Sequence, residues 1–109
     1  MKINLKATEL DLTPALREYI ERKIDSLSRF LKRWDAEGAV EIWVEVARTT
    51  RHHHKGNVFR AEADLRLPGK VLRAEDEDRD IRTAIDRIKD KLKREIEKYK
   101  ELKGLKEIQ

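Results

Sequence analysis

Basic side chains recur at helical spacing near the end of the chain. Four of them, at intervals of four, three and four residues, would form one stripe on a helix: Arg87, Lys91, Arg94 and Lys98. A second set would flank the other side of the same helix: Arg82, Lys89, Lys93 and Lys100. Residues 87–106 carry a local net charge of +5. A row of cations at turn spacing matches successive phosphates and gains from counterion release, so the pattern predicts binding of a polyanion.

An earlier helix predicted from the sequence adds bases to this surface. The same angular arithmetic places Arg22, Arg29 and Arg33 together on its solvent side, with Lys23 next to its buried stripe. Two such helices on one face of a sheet would frame a groove edged by bases. The alternative interpretation is a solvated helical surface supported by ion pairs such as Asp90–Arg94 and Glu97–Lys100.

Other chemistry-bearing residues give weaker patterns. In an extended segment, only His52 and His54 of the His52-His53-His54 run would converge, so a metal site lacks a third ligand and an exposed loop is favoured. The carboxylates of Glu75 and Glu77 lie in an acidic run that caps a following helix. The sequence has no cysteine, Gly-rich phosphate loop or nucleophile elbow. We therefore expect no enzyme activity, no cofactor and no metal.

A tryptophan occupies the polar-alternating face of one predicted strand. Trp43 fits simple packing at a sheet edge, and it also fits stacking on a base or contact with a partner. The partner contact would make the chain a protein-interaction module, which is the alternative function.

The elements that must position these residues follow from periodicity. Alternation predicts strands over residues 2–7, 40–46, 59–67 and from 70 onward, with Ile3, Leu5 and Ala7 facing the core. Thr13 and Pro14 begin a helix that continues to about Trp34, and a second helix continues from Ile81 to about Leu102. Residues 49–57 are expected to form an exposed hairpin connection, and residues 103–109 a short polar tail after the helix.

The order β-α-β-β-β-α predicts an α+β fold. The first two strands, joined by a crossover helix, should be parallel and the others antiparallel, giving a four-stranded mixed sheet with two helices on one face. A two-residue Pro68-Gly69 turn would place three pairs opposite one another: Ala63–Ala74, Asp64–Arg73 and Leu65–Leu72.

Length and composition limit the broad class. A chain of 109 residues fits one domain. Charged residues make up 44% of it, but the net charge is only +4, so the excess of positive charge is concentrated in the last helix. The sequence contains no apolar run long enough for a membrane span or a signal peptide, so we expect a cytoplasmic protein with no membrane partner.

Three segments of the chain resemble the bacterial ribosome hibernation-promoting factor and ribosome-associated inhibitor family. They are Leu12-Thr13-Pro14-Ala15-Leu16-Arg17-Glu18-Tyr19-Ile20, Lys70-Val71-Leu72-Arg73-Ala74-Glu75, and Asp80-Ile81-Arg82-Thr83-Ala84-Ile85-Asp86 followed by Asp90-Lys91-Leu92. The resemblance covers nearly the whole chain and implies the β-α-β-β-β-α fold, which is similar to double-stranded RNA-binding domains.

The resemblance also implies a function, with modulation of a transcription factor through the sheet face of Trp43 as the alternative. Members bind the RNA of the small ribosomal subunit in the mRNA and tRNA channel, so that idle ribosomes are silenced, and the family's basic positions correspond to Arg17, Lys23, Lys91, Arg94, Lys98 and Lys100. Arg82 stands where members usually have an aromatic residue. We expect the short form of the factor, a single ribosome-binding domain that inhibits translation, is monomeric away from the ribosome and takes no small-molecule substrate.

Overall fold

The computed structural model describes residues 1–49 and 58–104. Its strands are β1 (Lys2–Thr8), β2 (Glu41–Thr49), β3 (Val58–Leu67) and β4 (Lys70–Asp78). Its α-helices are α1 (Pro14–Asp25), α2 (Lys32–Asp35) and α3 (Ile81–Leu102), and a 3-10 helix, Ser26–Phe30, joins α1 to α2. The strands form a four-stranded sheet in the order β1-β2-β3-β4. The predicted α+β class and element order are confirmed.

Strand pairing follows the alternation of the sequence. β1 pairs with β2 in parallel, and the β2–β3 and β3–β4 pairs are antiparallel. The three predicted partners across the β3–β4 turn are confirmed: Ala63–Ala74, Asp64–Arg73 and Leu65–Leu72. Gly69 has a φ of +74°, the conformation that this tight turn requires and that glycine adopts without steric cost.

One hydrophobic core lies between the sheet and the helices. Alternate residues of the central strands β2 and β3 and of the edge strand β4 are buried against the apolar stripes of α1 and α3. On these helices, Ile20, Ile24, Ile88 and Leu92 are fully buried. The predicted inward-facing residues of β1, including Ile3 and Leu5, pack against this core but are only partly buried. Both long helices therefore cover the same face of the sheet, as predicted.

The predicted continuous helix from Pro14 to Trp34 is wrong. α1 ends at Asp25, a 3-10 turn follows, and α2 is a separate single turn. The hydroxyl of Ser26 donates to the Lys23 carbonyl at 2.6 Å, and the Leu31 N–H donates to the Ser28 carbonyl in the tighter i to i−3 pattern. Leu31 itself leaves the helical region with a φ of −120° while staying fully buried.

The acidic run before α3 also differs from the prediction. Residues 75–78 extend β4 instead of capping the helix, and Asp80 alone is the N-cap, accepting from the Arg82 N–H at 3.0 Å. The run continues the strand because β3 supplies partners as far as Asp78, which pairs with Phe59.

Two predictions fall outside the described residues. These are the hairpin connection with its three histidines, beyond Thr49, and the part of the tail that follows Gly104. Among the described helices, none is both long enough and apolar enough to cross a membrane.

Candidate nucleic-acid interface

The predicted basic residues all keep solvent access. Each of the thirteen is exposed or partly exposed. The structure divides them into an aromatic-centred set between α1 and α3, a set between α3 and β4, and several isolated residues. Sequence reasoning predicted their exposure but not this division.

The first set surrounds the ring of Tyr19 on α1. The guanidinium groups of Arg22 and Arg82 and the ammonium group of Lys23 lie 5.7, 4.9 and 5.5 Å from the ring centroid. Arg82 comes from the first turn of α3, so this set joins the two helices. Three cations on one aromatic ring form a compact positive surface on which a phosphate or a base can rest.

Asp86 holds this set together from α3. It accepts a hydrogen bond from the Tyr19 hydroxyl at 2.6 Å and lies 3.5 Å from the Lys23 ammonium group. Burial of the phenol, together with this hydrogen bond and the charge of Asp86, raises the pKa of Tyr19 to about 12. The phenol therefore stays neutral and hydrogen-bonded throughout the physiological range.

A second aromatic ring, that of Phe30, also has cations from two elements near it. The guanidinium group of Arg29 lies 4.8 Å from the Phe30 ring centroid, and the Lys93 ammonium group of α3 lies 5.3 Å from it. Neither Tyr19 nor Phe30 was singled out by the sequence analysis. Arg22 and Lys23 follow Tyr19 by three and four residues, which is a spacing signal that the sequence does contain.

On its other side, α3 is fastened to β4 by two of the predicted bases. Arg87 lies 3.6 Å from Asp76 and 3.2 Å from Asp78, and Lys91 lies 3.1 Å from Asp76. Lys91 also donates to the Glu75 carbonyl at 2.7 Å. Burial opposes ionisation of Asp76, but the hydrogen bond and charge of Lys91, with the charge of Arg87, lower its pKa overall. These two cations are therefore largely committed to the fold.

The last two bases of the stripe, Arg94 and Lys98, lie near a base of β4, Arg73. Arg94 and Lys98 form no ion pair within the described residues. They line a groove of about 290 Å³ with two further cations, Lys91 and Arg73, and with the carboxylates of Glu75 and Glu95. Sequence reasoning missed Arg73 as a site residue, since only packing of α3 beside β4 brings it to the groove. Its guanidinium group also contacts Asp64 at 3.3 Å.

The remaining predicted residues are not brought into either set. Arg17 lies 4.0 Å from Glu21, and Lys89 lies 3.6 Å from Asp90. Burial lowers the pKa of Lys100, against the opposing charge of Glu97. Arg22, Arg29 and Arg33 are all exposed, as the sequence predicts, but they lie on three successive helices and not on one. The helix breaks between them, and the intervening 3-10 turn changes the angle from one residue to the next.

The ion pairs proposed as support for a solvated helix also differ from the sequence prediction. Within the described chain, Asp90 pairs with Lys89 and not with Arg94, and no Glu97–Lys100 ion pair forms. Residues 1–49 and 58–104 contain no group of three histidine or carboxylate side chains that could hold a metal ion.

Comparisons with known proteins identify the family of the chain. The family model described as sigma 54 modulation protein / S30EA ribosomal protein matches residues 3–103. A ribosome hibernation promoting factor of Azotobacter vinelandii is 34% identical over 101 residues, covering 93% of this chain and 84% of that protein. The ribosome hibernation promotion factor of Deinococcus radiodurans is 32% identical over 97 residues. The match covers 88% of this chain but only 47% of the Deinococcus protein, so this chain spans about half the length of that relative.

A solved structure gives the same result at the level of the fold. The N-terminal domain of Thermus thermophilus protein Y superposes with a TM-score of 0.68 and 30% identity, covering 91% of this chain and 99% of that domain. The family model extends from β1 to the residue after α3. The chain thus belongs to the sigma 54 modulation protein / S30EA ribosomal protein family.

Proposed function

We propose that this chain is a non-enzymatic ribosome hibernation factor of the cytoplasm. It binds RNA of the small ribosomal subunit in the mRNA and tRNA channel and thereby inhibits translation in idle or stressed cells. The family and the names of the relatives support the hibernation role. The observation that carries the RNA contact is the grouping of cations around Tyr19, around Phe30 and along the groove between α3 and the edge of β4.

The two sets of cations would bind different parts of the RNA. The Tyr19 set offers a flat ring with cations around it, which suits a phosphate beside an unstacked base. The groove of Arg73, Arg94 and Lys98 offers convergent charges without a neighbouring ring, which suits phosphates alone. Arg82 and Arg94 are about 18 Å apart along the axis of α3 at 1.5 Å per residue, so a ligand using both sets must be an extended or folded RNA.

The test is cosedimentation with purified small subunits across a salt series. Arg94→Glu/Lys98→Glu should abolish most binding, because both cations are exposed and unpaired within the described chain. Wild-type binding should weaken steeply as salt rises. These two positions are better targets than Lys91, whose reversal would place a carboxylate beside Asp76.

Lys2→Glu/Lys70→Glu is the matched control. It changes the net charge by the same amount at two exposed positions away from the helical cations, so it should bind nearly as well as wild type. Equal loss in both variants would show that only net charge matters and would reject the proposed interface. A folded Arg94→Glu/Lys98→Glu variant that sedimented normally would also reject it.

A further inference from the structure

The face of the sheet that points away from the helices is a second surface, which we call the open sheet face. Trp43 of β2 lies in it and is 46% exposed, and Val71 of β4 is 41% exposed. The guanidinium group of Arg66 lies 5.3 Å from the Trp43 ring centroid. Of the three exposed large apolar side chains in the described chain, two lie on this face. The Trp43 ring therefore already accepts a cation of the chain's own and keeps area for another contact.

Carboxylates form a row beside this tryptophan. Glu45, Glu62 and Glu75 occupy directly opposed positions on β2, β3 and β4. Like charges directly opposite one another destabilise a sheet. Arg60 forms ion pairs with both Glu62 and Glu75, so one positive charge is shared by two carboxylates. The row thus retains unbalanced negative charge on the surface.

The row and the tryptophan border the same depression. A concavity of about 800 Å³ lies over them, lined by four carboxylates and two cations. The carboxylates belong to Glu45, Glu62, Asp64 and Glu75, and the cations to Lys6 and Arg73. The lining therefore has the opposite sign from the groove of Arg94 and Lys98 on the helical side. A phosphate would be repelled here, whereas a cationic side chain would relieve the crowding of the carboxylates.

We propose that the open sheet face binds an arginine- or lysine-rich segment of a protein partner. One cationic side chain would lie between the carboxylates of Glu45 and Glu62, and a neighbouring one would place its aliphatic stem or its charge on the Trp43 ring. This inference goes beyond the proposed function, because Trp43, Glu45 and Glu62 lie on the face opposite the helices, and the depression shares only the β4 residues 73–75 with the groove of Arg94 and Lys98.

The test uses a fluorescein-labelled peptide of alternating arginine and glycine, with a labelled oligouridine as the competing ligand class. Binding is measured by fluorescence anisotropy, and the site is mapped by amide and indole N–H shifts in NMR spectra of the full chain. The peptide should shift the signals of Trp43, Glu62 and Arg73. Its affinity should fall about tenfold in Glu62→Gln/Glu75→Gln and about threefold in Trp43→Ala.

Two control variants make the outcome decisive. Glu18→Gln/Glu37→Gln makes the same change in net charge at exposed positions outside the open sheet face, and Arg94→Gln/Lys98→Gln removes the helical cations. Both should leave peptide affinity within about twofold of wild type. Equal weakening in Glu18→Gln/Glu37→Gln, an absence of peptide-induced shifts at Trp43, or shifts there with oligouridine instead of the peptide would overturn the proposal.

Discussion

At the scale of single residues, aromatic rings organise the positive surface. Tyr19 and Phe30 each gather cations from two different elements, and Asp86 supplies the counter-charge that keeps the Tyr19 set compact. Arg82, from the first turn of α3, lies over the Tyr19 ring at 4.9 Å. A cation therefore covers the aromatic ring at the point where the two helices meet.

Asp86→Asn should lower the pKa of Tyr19 from its value of about 12. Burial, the largest cause of the shift, remains, so the pKa should stay above the ordinary 10.0. A phenol with a raised pKa stabilises the fold fully below its ordinary pKa, and this contribution is lost as the pH rises through the folded value. Ultraviolet absorbance titration of tyrosinate measures the change.

The same substitution keeps a neutral acceptor for the Tyr19 hydroxyl but removes the acceptor's charge and the ion pair with Lys23. It should lower the free energy of unfolding at pH 7 by about 1 kcal/mol, the difference between a hydrogen bond to a charged acceptor and one to a neutral acceptor. Asp90→Asn, an exposed position on the same helix, is the control and should leave the Tyr19 titration unchanged. An unchanged tyrosine titration in Asp86→Asn would contradict the charge of Asp86 as a source of the shift.

The opposed carboxylates of Glu45 and Glu62 give a prediction at neutral pH. Burial and the hydrogen bond with Glu45 raise the pKa of Glu62, while the hydrogen bond from Thr8 is the main reason that the pKa of Glu45 is lowered. The folded chain therefore holds the Glu62 proton more tightly than the unfolded chain. That stabilisation is complete below the ordinary pKa of 4.5 and is lost as the pH rises through the raised value.

Glu62→Gln should consequently raise the free energy of unfolding at pH 7 by about 0.5 kcal/mol, because it removes one charge and supplies an amide donor for Glu45. Solvent screens the partly exposed pair, which keeps the effect small. Urea denaturation at pH 7 and pH 4 should show that the gain shrinks on acidification. Glu18→Gln should show neither effect, and destabilisation by Glu62→Gln at pH 7 would refute the repulsion.

At the scale of elements, β4 carries charges for two surfaces. Asp76 points toward α3 and binds Arg87 and Lys91, while Glu75 contacts Arg60 on the open sheet face. Lys91 additionally donates to a β4 carbonyl, which helps to cover the edge of the strand. The acidic run is therefore strand because both of its faces find cations, and only Asp80 is left to begin the helix.

Asp80→Ala should lower the free energy of unfolding by about 1 kcal/mol, the usual cost of losing an N-cap. Asp80 accepts from both the Arg82 N–H and the Thr83 hydroxyl, and alanine offers no acceptor. Urea denaturation measures the loss. Asp80→Asn keeps an acceptor and should recover most of the stability, whereas equal losses in the two variants would point to charge instead of capping.

At the scale of the whole molecule, one core holds together two chemically different surfaces. The helical side gathers cations around two rings and one groove, and the open sheet face combines an exposed tryptophan with an excess of carboxylates in its depression. The two surfaces adjoin at β4, where Arg73 and Glu75 line both the groove and the depression. Ligands of the two surfaces can therefore influence each other at this edge of the sheet.

Leu92→Ala should lower the free energy of unfolding by about 3 kcal/mol, since this fully buried side chain packs α3 on the sheet. Leu102→Ala is the matched control, because Leu102 is 86% exposed, and should change stability by less than about 0.5 kcal/mol. Tryptophan fluorescence and far-ultraviolet circular dichroism should give coincident unfolding curves. Separate transitions would show that the helices and the sheet do not share one cooperative core.

The sequence by itself determined the element order, the strand register and the buried stripes, because alternation, helical spacing and the Pro68-Gly69 turn are properties of consecutive residues. It could not predict the break after Asp25 or the full length of β4, since both depend on partners distant in the chain.

The grouping of the cations likewise belongs to the tertiary structure. Arg82 meets Tyr19, and Arg73 meets Arg94 and Lys98, only because α1, α3 and β4 pack side by side on the sheet. Helical spacing shows which bases share a face of one helix, but it does not show which acids and rings of other elements lie close enough to interact with them. The acids and rings that lie nearby after folding therefore decide which cations are held by the fold and which remain available to a ligand.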